Sequence, residues 1–177
     1  MYRIHRNVDI SFAHHVRGHA GACVNVHGHT WKLEVGLRAT TLDREGFVVD
    51  FGRLKAEVLQ PCHALLDHAF AVGRATFEET EPALAALGRP LVGSREAVHR
   101  RPMPNPTPAL ALHGAELRYP GGMKVCVFPF DPTSERLAEW LFGLAEERLS
   151  DDRVRVDFAR IYETLHPVES VAEYRRD

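Results

Sequence analysis

The chain has 177 residues, with 22 Lys and Arg against 24 Asp and Glu, a formal net charge of −2 and 45% hydrophobic residues. That length suffices for one domain with a sizeable core, and a pI near 6.6 excludes a general electrostatic pull toward nucleic acid or anionic membrane. The cysteines Cys23, Cys62 and Cys126 are far apart and form no Cys-x-x-Cys pair, which excludes a disulfide scaffold or thiolate-rich zinc site and suits a reducing cytoplasm.

The first residues, Met1-Tyr2-Arg3-Ile4-His5, lack the apolar core of a signal peptide, and no run approaches the length of a membrane span. A cytoplasmic chain is expected. Residues 2–14 and 24–39 read as two strands, joined by a Gly/His-rich turn at Gly18–Gly21. Side chains alternate along a strand, so His27 and His29 share a face with Trp31, Leu33, Val35 and Leu37. Two imidazoles on one face are well placed to hold a divalent metal, and Gly28 between them lets another segment approach closely. On the first strand Ile10, Phe12 and His14 share one parity, so its apolar face ends in a third imidazole. Three histidines with a fourth position open is the arrangement of a catalytic zinc site. His15 competes with His14 for the third place, and Cys23 lies near the cluster but off its face.

A short strand is expected at Gly46–Val49. Asp50 then caps a helix over about 51–66 with Leu54, Val58 and Leu65 inward, which Pro61 bends or divides. Straight after it comes Asp67-His68, an acid beside an imidazole that it can orient and stabilise in its charged form. Residues 73–121 read as a long surface insertion within the single domain 1–177. It offers a short helix at Glu78–Leu87, and then four prolines in Arg101–Pro108 that forbid helix and central strand alike. Met123–Phe128 is a strand. Asp131 and Pro132 start a helix whose apolar stripe is Leu137, Trp140, Leu141 and Leu144, and a last strand runs from Val154 to Tyr162, ending at Glu163-Thr164. This order predicts an α+β domain, an antiparallel sheet with two helices packed on one face.

Several short stretches resemble motifs of one family in the same order. Ile10-Ser11-Phe12-Ala13-His14 resembles Phe-x-Ala-Ala-His, and His27-Gly28-His29 matches His-Gly-His. Gly46–Phe51 with Leu54-Lys55 resembles Gly-Met-Val-x-Asp-Phe…Leu-Lys. Leu66-Asp67-His68, Pro132-Thr133-Ser134-Glu135 and Glu163-Thr164 follow in their places. The family is that of 6-pyruvoyl-tetrahydropterin and 6-carboxytetrahydropterin synthases, of the tunnelling (T-fold) architecture, whose barrel forms on oligomerisation.

The resemblance implies zinc bound by His14, His27 and His29, proton transfer by Cys23, Asp67 and His68, and a pterin edge held by Glu163. It also implies a homohexamer built from two trimers. A cysteine four residues before His-Gly-His is similar to the bacterial carboxytetrahydropterin branch, which converts 7,8-dihydroneopterin triphosphate to 6-carboxytetrahydropterin, acetaldehyde and triphosphate on the queuosine route. The pyruvoyl reaction and a zinc-stabilised, non-catalytic pterin-binding domain are the alternatives. The chain departs from the family at Ile10 and Phe12, at His15 where Arg is usual, and in the length of its insertion.

Overall fold

The two longest alternating stretches of the sequence pair with each other. In the computed structural model, which describes residues 1–89, 111–164, 166 and 169–177, β1 (Tyr2–His14) and β2 (His27–Ala39) run antiparallel in unbroken register from Tyr2 opposite Ala39 to His14 opposite His27. Their shared inner face buries Ile10, Phe12, Trp31, Leu33, Val35 and Leu37. Phe12 and Trp31 stack with centroids 4.6 Å apart, and the indole N–H donates to the Phe12 carbonyl at 3.1 Å. Each such aromatic side chain buries on the order of 150–250 Å², so this pair fixes the register of the hairpin. Residues Ala22–Val24 form a 3₁₀ turn, and β2 therefore begins at His27 rather than at Val24.

The remaining strands are β3 (Phe70–Gly73), β4 (Ala111–Leu112), β5 (Ala115–Arg118), β6 (Val125–Phe128), β7 (Val154–Thr164) and β8 (Ser170–Tyr174). Together the described residues make one eight-stranded sheet in the order β4-β5-β6-β3-β1-β2-β7-β8. It is mixed rather than wholly antiparallel: β3 lies parallel to β1 at Ala13–His14 and parallel to β6 throughout. The fold is the α+β T-fold that the motifs imply. Among the described residues no helix is long and apolar enough to cross a membrane.

Helices α1 (Phe51–Leu54) and α2 (Gln60–Leu66) are separated by a π-helical turn at Lys55–Leu59. The Asp50 carboxylate caps this segment, accepting from Gly52 N at 2.6 Å and Arg53 N at 3.2 Å. Pro61 has no N–H and its ring excludes the carbonyl four residues back. The chain accommodates it by the wider turn, in which Gln60 N–H donates to the Lys55 carbonyl. Helix α4 (Ser134–Leu149) packs on β7 and β8, burying the predicted stripe. Its cap is Thr133, whose Oγ1 accepts from Arg136 N, and not Asp131.

Three further expectations are corrected. Gly46–Val49 is not a strand, because the Asp43 carboxylate captures the N–H groups of Glu45 and Phe47 and folds the segment into a turn. The 73–121 stretch holds the 15-residue helix α3 (Arg74–Gly88) and the β4–β5 hairpin, while the proline run Arg101–Pro108 lies outside the described residues. Helix α3 covers the face opposite to α2 and α4. Ala71, Cys126 and Phe128 join the main core, whereas Phe70, Val72, Val125 and Val127 pack with Phe77 and Leu84 of α3 in a second one.

Candidate metal centre

The apolar inner face of the β1–β2 hairpin ends in imidazoles. Phe12 lies opposite His29 and His14 opposite His27, so the pleat turns all three rings to the core side. Gly28 between two of them is tight: a Cβ there would lie 3.2 Å from the Phe12 carbonyl oxygen. From the end of β7 comes Glu163, and one donor atom from each of His14, His27, His29 and Glu163 lies within 4.8 Å of the other three. Glu163 Oε1 is 3.4 Å from His14 Nε2 and 3.7 Å from His29 Nε2.

Backbone carbonyls set the tautomers. His14 Nδ1 lies 2.9 Å from the Pro132 oxygen and His27 Nδ1 lies 2.8 Å from the Asn25 oxygen. A carbonyl only accepts, so each Nδ1 carries a proton and each neutral ring has its lone pair on Nε2. Those two Nε2 atoms face each other at 3.0 Å. Two lone pairs so placed repel unless a cation lies between them. His29 Nε2 is buried and has no hydrogen-bond partner among the described residues. Burial lowers the pKa of His14 and of His29, with the Pro132 contact and Glu163 opposing it at the first ring and Glu163 at the second. Neutral imidazole is the form that binds metal. The four residues thus fit a divalent ion of zinc type: nitrogen donors with oriented far-side N–H groups, and a carboxylate beside them.

The structure places His14 in this group, while His15 points elsewhere with its Nδ1 buried and unpartnered. Cys23 sits half-buried in the 3₁₀ turn, held by Val16 N–H donating to its carbonyl at 3.0 Å, and is not one of the four. Asp67 and His68 also stand apart from the four. His68 Nδ1 lies 2.9 Å from Asp67 Oδ2, and the exposed Nε2 of that ring has no partner among the described residues. His68 has φ +57°, a left-handed conformation that costs a non-glycine residue about 1–2 kcal/mol. It is held there by donating its N–H to the Ser11 carbonyl at 2.8 Å. Burial raises and the His68 contact lowers the pKa of Asp67; the net direction is down.

Two open hollows meet at His29. One, of about 490 Å³, also has His68, Gly28 and Thr30 on its walls. The other, of about 380 Å³, is lined by Thr30, Glu163, Thr164 and His166 besides His29. No motif marks Thr30 or His166. Nor does any mark the orienting groups of Pro132 and Asn25, which are backbone oxygens and leave no trace in residue identity.

A β1–β2 hairpin ending in three histidines, on a mixed sheet flanked by helices, defines a T-fold domain with a His/Glu cluster. The chain belongs to the 6-pyruvoyl tetrahydropterin synthase family, which matches residues 3–177. It is 25% identical over 167 residues to 6-carboxy-5,6,7,8-tetrahydropterin synthase of Haemophilus influenzae, covering 93% of this chain and 94% of that protein. Among solved structures it is similar to an uncharacterized protein of Wolinella succinogenes (TM-score 0.63, 22% identity, 99% of this chain and 98% of that one). It is also similar to 6-pyruvoyl tetrahydropterin synthase of Caenorhabditis elegans (TM-score 0.54, 16% identity, 99% and 96%).

Proposed function

We propose that the chain is a zinc-dependent 6-carboxytetrahydropterin synthase, releasing acetaldehyde and triphosphate from 7,8-dihydroneopterin triphosphate. The observation that carries the metal is the pair of Nε2 lone pairs opposed at 3.0 Å with both Nδ1 atoms committed to carbonyls. The relative from Haemophilus influenzae, similar over nearly its whole length, supports the carboxy reaction.

His14, His27 and His29 would hold zinc, which when bound polarises oxygens of the substrate side chain. The other steps fall to this chain's own residues. Glu163, on the wall of the hollow beside His29, accepts from the N–H donors of the pterin's amino-pyrimidinone edge. Cys23, acting as a thiolate, takes a proton from the side-chain carbon. His68 moves a proton at Nε2, with Asp67 orienting the ring through Nδ1. These groups lie on separate parts of the chain, in keeping with a site completed by assembly into a hexamer.

A second reading is favoured by Glu163 itself. Its oxygen lies so near the imidazoles that a fourth protein ligand would close the site, leaving a zinc-stabilised pterin-binding domain without turnover. Product analysis with 7,8-dihydroneopterin triphosphate decides between them. Acetaldehyde release supports the synthase, a pyruvoyl product assigns the sister reaction, and pterin binding without turnover leaves the second reading.

A further inference from the structure

We propose that Glu163 is the fourth ligand of the resting metal centre and that the pterin edge of the substrate displaces it, so that the metal opens only when substrate is bound. Resting on the synthase reading above, this gives one carboxylate two positions, each excluding the other, and makes the closure of the site reversible. Glu163 stands where both are within reach. It is one of the four residues whose donor atoms converge, and it also walls the hollow of about 380 Å³ beside Thr30, Thr164 and His166. Its side chain is 28% exposed, against 1% for that of His14, so the carboxylate has room to turn while the ring is fixed.

The donor separations are those of a closed site. Zinc holds nitrogen at about 2.0–2.1 Å and carboxylate oxygen at about 2.0–2.2 Å, which sets the corners of its tetrahedron about 3.3–3.6 Å apart. His14 Nε2 lies 3.0 Å from His27 Nε2 and 3.4 Å from Glu163 Oε1, and the same oxygen lies 3.7 Å from His29 Nε2. These edges bracket the tetrahedral value. The 3.4 Å contact is not a hydrogen bond: neutral His14 has its proton on Nδ1, facing the Pro132 carbonyl, and has none on Nε2 to give. His29 Nε2 likewise has no hydrogen-bond partner among the described residues. Acceptors converging in this way are reconciled by a cation among them, and the carboxylate offsets part of its charge.

One carboxylate cannot serve both partners at once. The amino-pyrimidinone edge offers two parallel N–H donors, which a carboxylate matches with both of its oxygens. With Oε1 on the metal that fork is broken, and with the fork engaged Oε1 has left the metal. His14, His27 and His29 alone then leave a fourth position for an oxygen of the substrate side chain. At rest no position remains for water, so a compound without the edge meets a closed centre. Recognition of the ring and access to the metal become a single event, governed by the rotation of one side chain.

Cobalt(II) exchanged for zinc in the full-length protein tests the proposal, because its visible absorption reports coordination. The probes are azide, a small anion that occupies open metal positions, and unsubstituted pterin, which has the edge but no side chain to reach the metal. Saturating pterin should tighten azide binding to the parent by about 5–150-fold, the usual range of coupling between two sites, and azide should tighten pterin by the same factor. Glu163→Gln should bind azide tightly without pterin, and its thermal midpoint checks the fold. Should that variant fail to fold, the linkage between azide and pterin in the parent decides alone. Azide affinity unchanged or weakened by pterin, a pterin effect retained in Glu163→Gln, or a parent that takes up no cobalt or no pterin would each overturn the gate. Acetaldehyde release is measured on the zinc form. Its absence beside pterin-gated azide binding would sink the synthase and keep the gate, and its presence beside ungated binding would sink the gate alone.

Discussion

His14 and His15 are adjacent and chemically identical, yet only one joins the cluster. The difference is strand parity, which the run Ile10, Phe12, His14 displays openly. His29→Ala should therefore lower zinc to well below one ion per chain, whereas His15→Ala should keep it, as elemental analysis will read. Cys23→Ala should retain zinc and pterin binding while turnover falls about 10²–10⁴-fold, the usual worth of a positioned base. Turnover like that of the parent would remove the proposed mechanism. A Cys23→Ala protein without zinc would make the thiol a ligand instead. Parity alone makes the three histidines legible in the sequence. The nearness of Glu163 to them is not legible there, because it depends on how β7 pairs with β2, and no local pattern records a contact between residues over a hundred positions apart.

Elements are legible where one face is buried and the other is not. β1 and β7 alternate in burial, and β2, though buried on both faces from Leu33 to Leu37, still alternates apolar residues with Lys32, Glu34 and Gly36, so their patterns stand out. β3 is buried on both faces, and four consecutive buried residues show no period by which to recognise a strand. β8 is half exposed and short, and escapes notice for the opposite reason. The cap of α1 is legible because it is a local contact, and Asp50→Ala should cost about 1 kcal/mol of stability in urea unfolding while Asp50→Ser recovers most of it.

Between β2 and β7 a different bond holds the register. Glu34, opposite Arg160, accepts from Arg160 Nη1 at 3.2 Å and from the Tyr162 hydroxyl at 2.8 Å, and meets His5 Nδ1 at 2.7 Å. Burial pushes its pKa up, but these three contacts together outweigh burial and bring it below the ordinary 4.5. The folded-state value is thus depressed relative to the unfolded chain. Its stabilisation is fully present above about pH 4.5 and fades as pH falls through the lowered value. Glu34→Gln should cost about 1–3 kcal/mol at pH 7. The gap from the parent should narrow in urea titrations run at pH 3–4, and a gap constant with pH would rule out ionisation as its source.

At the scale of the molecule, among the described residues, β1 from Tyr2 to Ile10 on the side away from β2 and the outer side of β8 have no strand beside them. Unpaired edges of that length invite partners, and on the reading proposed above they are closed by other copies of the chain. Light scattering should then give a mass about six times 19.9 kDa, and a monomer at micromolar concentration would count against assembly. None of this closure is written in one chain's pattern, since an edge looks the same in sequence whether solvent or a neighbour covers it.

The unbroken pairing of β1 with β2 ties the quality of folding to the quality of the site. A slip of one residue between these strands would turn Ile10, Phe12 and His14 outward in the same movement. The error that strands aromatic side chains in water is the error that disperses the imidazoles. A misfolded copy is therefore also a copy unable to load metal, and zinc occupancy becomes a proofreading signal: in any preparation, the metal-free fraction should be enriched in chains that folded out of register.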